Sequence, residues 1–170
     1  MGGLFPGPAV TAADMAALLA QQTPQVLPGD FTVDTLPAPA DNIGKYARVT
    51  DLFGVKTDLV LASKSGTMSF WQPVRPVFAA KAAIADMTLT ALKSPSVLIL
   101  DGSVGLGVTR TITLSNSLAF PGASFRFKNR GSLVGALRIG NVNLGAFLSL
   151  ATGGSQEFYF DATDGWVQVT

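Results

Sequence analysis

The chain contains no cysteine and no histidine, and each absence removes a class of chemistry. Without cysteine there is no disulfide and no thiolate metal site, and nothing marks a redox compartment. Without histidine, a Ser-His-Asp triad, a Cys-His pair and most zinc sites are excluded. Charge is also scarce: 14% of the 170 residues are Asp, Glu, Lys or Arg, against about 25% in an average soluble domain. The net charge of +1 gives no general attraction to nucleic acid or to anionic lipid. No apolar run reaches the roughly 18 to 20 residues that cross a bilayer. Leu133 to Ala151 comes nearest, and Arg138, Asn141, Asn143 and interior glycines break it. The N-terminus has neither the basic segment nor the apolar core of a signal peptide. Neither nucleic acid nor membrane insertion is therefore expected. A chain that is 48% hydrophobic and poor in charge has little surface suited to water, which favours a subunit that hides its exterior in an assembly.

What is present is mostly strand and turn. Strand segments run Tyr46 to Asp51, Asp58 to Lys64, Met68 to Pro76, Thr109 to Leu114, Ser124 to Asn129, Ala136 to Val142, Gly145 to Leu150 and Glu157 to Phe160. Val97 to Leu100 is apolar on both faces and reads as a buried strand. Pro73 and Pro76 confine the Met68 strand to an edge or a terminus. A short strand is also expected over Asp30–Val33, between prolines. The last strands flank Asp164-Gly165: Phe158 and Phe160 point one way and Tyr159 the other, and Trp166 restarts the alternation. Eighteen glycines punctuate the chain.

Helix is expected once, from Ala12 to Gln22, with Thr11 as N-cap, Asp14 at N3 and a stripe of Met15, Leu18, Leu19 and Gln22. Ahead of it, Met1 to Pro8 is too rich in glycine and proline for regular structure. Its Leu4 and Phe5 suit an arm that docks on a neighbour; a disordered terminus is the alternative. Many short strands with Gly-rich turns indicate an all-β fold. The expectation is two small β-sandwich or barrel-like modules of jelly-roll type, preceded by the irregular arm and one short α-helix. The boundaries are an arm and helix over 1–33, a first module over 34–76, a linker ending in a strand over 77–96, and a second module over 97–170.

Candidate chemistry is thin. Of eleven carboxylates only Glu157 is a glutamate. Glu157 and Asp161 share a strand face but lie about 13 Å apart at roughly 3.3 Å per residue, beyond the spacing of a glycosidase pair. Asp161, Thr163 and Asp164 offer only a fragment of a calcium site, with no EF-hand pattern. Gly102, Gly105 and Gly107 do not form a phosphate-binding loop. Arg126, Lys128 and Arg130 fall on one strand face opposite Phe125 and Phe127, as a solvated face or an acidic-ligand patch. Trp71, Trp166, Tyr46, Tyr159, Phe70 and Phe158 make a sugar-stacking platform if exposed, and core or subunit interface if not. No enzyme activity, cofactor or metal is expected.

The two halves echo each other. Gly44 leads into the strand Tyr46 to Asp51, and that half closes on Ser65-Gly66 and then Trp71-Gln72-Pro73-Val74. Pro121-Gly122 leads into Phe125 to Asn129, and that half closes on Asp164-Gly165 and Trp166-Val167-Gln168-Val169. The stretch Leu36 to Asp51 with Phe70 to Arg75 resembles the short β-modules of tailed-bacteriophage fibre and head-decoration proteins. Arg110 to Leu114, Pro121 to Asn129 and Asp164 to Val167 are similar to the C-terminal β-domain of phage fibres. The chain departs from the family in the four residues between Gly66 and Trp71, where closure is usually tighter, and in lacking a long shaft. The resemblance implies a homotrimeric, non-enzymatic virion protein, a head decoration or short fibre on the particle surface. Leu4, Phe5, Met15, Leu18 and Leu19 would attach it to the major capsid protein or another virion protein. Trp71, Phe125, Phe127, Phe158, Phe160 and Trp166 would close the modules and pack the trimer. The alternative is a tail-associated tip that binds a host receptor or surface glycan.

Overall fold

The computed structural model describes residues 11–13, 15, 23–75, 77–133, 135–141 and 148–169. Its regular structure is almost wholly strand, in agreement with an all-β fold. Ala12, Ala13 and Met15 are helical, and the Met15 amide donates to the Thr11 carbonyl. The rest of the expected helix, with Leu18 and Leu19, lies outside the described residues, as do Leu4 and Phe5.

The first sheet holds β1 (Val26–Phe31), β2 (Tyr46–Leu52), β3 (Lys56–Ser65) and β4 (Met68–Pro73) in that order. β1 lies parallel to β2, and β2, β3 and β4 form an antiparallel meander. Strand structure thus starts at Val26, ahead of the expected Asp30, and Val33 begins a 3₁₀ turn instead of ending a strand. Alternation buries Ala47, Val49, Val60, Ala62 and Trp71 on one face. The β3–β4 hairpin closes Ser65 against Met68 over Gly66-Thr67, with Gly66 at φ +57°, where a side chain would be strained. β4 is an edge strand, as its terminal proline requires.

The second group of strands departs from jelly-roll connectivity. β5 (Ala79–Ala83), β7 (Val97–Asp101) and β10 (Ser124–Asn129) lie side by side and parallel. So do β6 (Met87–Leu89), β9 (Thr109–Leu114) and β12 (Ala136–Gly140). Between them β8 (Ser103–Val104) runs parallel to β11 (Ser132–Leu133). Successive coils of chain are therefore stacked in register, Leu98 beside Phe127 and Ile112 beside Ile139, as in a short solenoid. Residues 77–96, expected as a linker ending in a strand, supply that strand as β6 and, in addition, β5, which together make the first coil. β13 (Leu148–Ser149) pairs with β12, and the antiparallel hairpin β14 (Ser155–Asp161) with β15 (Gly165–Val169) adds to β10. The resulting five-stranded sheet runs β15-β14-β10-β7-β5.

Close stacking is enforced by backbone. A Cβ on Gly131 would meet the Gly102 carbonyl oxygen at 2.5 Å, and one on Gly135 would meet that of Val108 at 2.1 Å. Asn129, fully buried at the inward end of β10, accepts from the Gly131 amide at 2.9 Å and donates to the Ala151 carbonyl at 3.0 Å. One apolar cluster runs through all the sheets. It is joined by Phe53 stacked on Phe78 and Phe70 stacked on Phe120, both at 5.8 Å.

Trp166 is 1% exposed, so Trp166→Ala should lower unfolding free energy by about 3–5 kcal/mol in a denaturant titration. Asn129→Ala should cost about 1–3 kcal/mol in the same assay, because the buried Gly131 amide loses its acceptor.

Candidate functional site

The aromatic residues expected to close the modules and pack the trimer lie in the chain's own core. Phe125, Phe127, Phe158, Phe160, Trp71 and Trp166 are all buried within the single chain. Phe125 and Phe160 lie 5.1 Å and 5.4 Å from the Trp166 ring, and Phe127 meets Phe158 edge-on at 5.9 Å. Each indole also donates outside its own sheet, Trp71 to the Pro37 carbonyl at 2.8 Å and Trp166 to that of Ser115 at 3.1 Å. Six side chains so consumed cannot also face a neighbouring subunit. Of the attachment residues, Met15 is exposed.

The strand alternation that buries Phe125, Phe127 and Phe158 puts Arg126, Lys128, Glu157 and Tyr159 on the outer face of the five-stranded sheet. Register sets Arg126 opposite Glu157 and Tyr159 opposite Ser124. Both Glu157 carboxylate oxygens lie 2.8 Å from Arg126 Nη2, and the Tyr159 hydroxyl donates to Oε1 at 2.9 Å. The Arg126 guanidinium, helped by that hydroxyl, holds the Glu157 carboxyl below the usual carboxylate range. The same hydrogen bond raises the Tyr159 phenol. A general acid for glycoside cleavage needs its carboxyl shifted the other way. Lys128 Nζ donates to the Gly153 carbonyl at 2.7 Å, so within the expected basic face Arg126 is ion-paired while Lys128 is held by a neutral acceptor and keeps its charge.

Among the six candidates for a sugar platform, Tyr159 is the exposed one, at 39%. Tyr46 and Phe70 are half-buried, and Trp71, Phe158 and Trp166 are buried. Asp161 caps its own turn, its Oδ1 accepting from the Thr163 and Asp164 amides at 2.7 Å and 3.0 Å. Among the described residues no group of three or more carboxylates, histidines or cysteines is placed to hold a metal ion.

A second charged cluster was not legible in the sequence. The Asp58 side chain is 5% exposed, with Oδ2 at 2.9 Å from Lys56 Nζ and 3.4 Å from Arg75 Nε. Its Oδ1 accepts from the Leu59 amide at 2.9 Å. Lys56 and Asp58 are two apart on one strand, but Arg75 arrives only through the β3–β4 pairing. The cluster pins the end of β4 to the start of β3.

No family model matches this chain, and no curated protein does. The solved structure "Structure of a chaperone-substrate complex" has a TM-score of 0.40 and 16% identity, covering 71% of this chain and 24% of its own length. This chain thus spans about a quarter of that one, and so slight a likeness supports no inference of function. What stands is an all-β protein whose five-stranded sheet, among the described residues, has no pairing beyond β15 at one edge and β5 at the other.

Lys56 is the main cause that holds the Asp58 carboxyl below its ordinary 3.8, outweighing the opposing effect of burial. A carboxyl lowered on folding stabilises above its unfolded value, and that contribution is lost as pH falls through the folded one. Asp86, Glu157 and Asp161 are lowered as well. Stability should therefore drop below about pH 4. Asp58→Asn should be less stable at pH 7 and show a shallower acid limb in thermal melts between pH 7 and pH 2.5.

Proposed function

We propose that the chain is a non-enzymatic virion structural protein, a homotrimeric head decoration or short fibre held on the particle by its N-terminal segment. The trimer and the virion setting rest on the resemblance of its strand-and-turn motifs to phage fibre and decoration modules. The observation that carries the reading physically is the edge of the five-stranded sheet formed by an uncharged strand, Gly165–Val169, which among the described residues pairs with β14 alone; the opposite edge strand, Ala79–Ala83, carries Lys81. Natural sheets block such edges with charge, proline or a covering element. β15 has neither charge nor proline, and its Val169 is 47% exposed. With the large aromatics turned inward, subunit contacts fall to this edge and to the outer face around Tyr159.

A second reading, a tail-associated tip that binds a host receptor or surface glycan, is favoured by one feature. Tyr159 presents its ring beside the Glu157–Arg126 pair, an aromatic face next to hydroxyl-binding groups. Tyr159→Ala should abolish saturable binding on a glycan array under this reading and leave particle incorporation intact.

Light scattering of the purified chain should give the mass of a trimer; a stable monomer with reversible unfolding would remove the main support. Deleting residues 1–22 should leave the trimer formed and stop incorporation into particles. Normal incorporation of that variant would refute the anchor.

A further inference from the structure

We infer that the free edge of β4 is a docking groove for an extended, uncharged peptide strand of another polypeptide, taken up by β-strand addition. β4 is the outermost strand of its sheet, with β3 on one side only. The Val74 amide donates to the Leu59 carbonyl at 3.0 Å. In an antiparallel pair the hydrogen-bonded positions alternate, so Phe70 and Gln72 turn their backbone groups to β3 while Ser69, Trp71 and Pro73 turn theirs away. Pro73 at such a position costs no ladder bond. Among the described residues, no hydrogen bond takes up the amide or carbonyl of Ser69 or of Trp71. Two donors and two acceptors are thus left along one edge.

This edge does not open onto a bare surface. Met68 to Trp71 of this strand line a cavity of about 420 Å³ whose remaining lining comes from both sides of the sheet, since Trp71 bonds Pro37 on one side and Phe70 stacks on Phe120 on the other. Leu36, Pro37 and Pro39 form one wall, on the side of the buried Trp71 indole. Phe70, Leu118 and Ala119 form the other. Walls from both faces place the groove at the strand's edge. The lining is apolar apart from Ser69 and Asp34, and the Asp34 carboxylate is already paired with Lys93. With no uncompensated charge, the groove matches a neutral strand and rejects a charged one, which would be desolvated without a partner. Leu118 is 40% exposed and holds a left-handed backbone at φ +58°, a conformation costly for leucine at the mouth of the groove. Main-chain bonds along the edge would supply affinity, and side chains alternating between the two walls would supply selectivity.

The groove is independent of the trimer reading, because it involves neither edge of the five-stranded sheet. The test uses the full chain, isotope-labelled, with acetyl-Thr-Val-Thr-Val-Thr-Val-amide as probe. A control peptide of the same sequence is N-methylated at alternate residues, so that it cannot pair along an edge. The expected result is saturable shifts at the Ser69 and Trp71 amides and slower hydrogen exchange there. The N-methylated peptide should bind at least about tenfold more weakly. Ser69→Pro removes an outward amide while sparing every β3 bond, and Leu118→Asp places a charge on the wall at a backbone conformation aspartate accepts. Both should melt near the parent temperature and lose binding by a similar factor. If Ser69→Pro does not fold, the methylated peptide and Leu118→Asp decide the matter. Equal binding of the two peptides would overturn the proposal, as would failure of the probe to bind at millimolar concentration. So would Ser69 and Trp71 amides already protected in the free chain: independent of concentration, this would mean the groove is filled by the chain's own segment, and dependent on it, by a second copy.

Discussion

Everything in the second half of the molecule depends on how closely two coils of backbone can approach. Parallel ladders need neighbouring strands about 4.8 Å apart, and at the corners the chain comes closer than any Cβ allows. Gly131 and Gly135 sit at those points, each against a carbonyl of the coil beneath. Asn129 completes the corner by giving its buried amide to the carbonyls of the 150–151 turn and accepting from Gly131. A polar side chain at an inward position is costly unless satisfied. Here it replaces hydrogen bonds that a turning backbone cannot make with itself.

The stack and the meander are held together by a small apolar junction. Phe53 and Leu92 are both buried and both take positive φ, at +57° and +67°. The Phe53 amide donates to the Leu92 carbonyl at 2.5 Å. Left-handed backbone is costly for such residues, about 1–3 kcal/mol each, and stacking of Phe53 on Phe78 and of Phe70 on Phe120 is what the strain accompanies. Among the described residues, burial at this junction leaves the β4 edge walled but unpaired, and the five-stranded sheet pairs with nothing beyond β15 and β5.

Much of the fold class was legible because alternation is a local property. Phe158 and Phe160 against Tyr159, and Phe125 and Phe127 against Arg126 and Lys128, divide between core and surface as the period of two dictates. Pro73 announced an edge strand by lacking a donor. Parallel and antiparallel partners share that same alternation, so nothing in Ser124–Asn129 tells which way its neighbour runs. The short, alanine-rich β5 was hidden for another reason: Ala79, Ala80, Ala82 and Ala83 favour helix by propensity and become strand only beside β7. The apparent echo between Trp71 and Trp166 drew notice to two closures, while the repeat that builds the stack pairs Ile112 with Ile139 and Leu98 with Phe127, residues too ordinary to stand out.

The sequence by itself determined that this is an all-β chain without histidine or cysteine chemistry, with its large aromatics on one side of their strands, because composition and alternation act over a few residues. Only the tertiary structure decided that those aromatics face the chain's own core and that Arg75 reaches Asp58. It alone also walled the β4 edge on two sides. Each of these depends on register between segments far apart in sequence, and register is set by packing and turn geometry that no single segment contains.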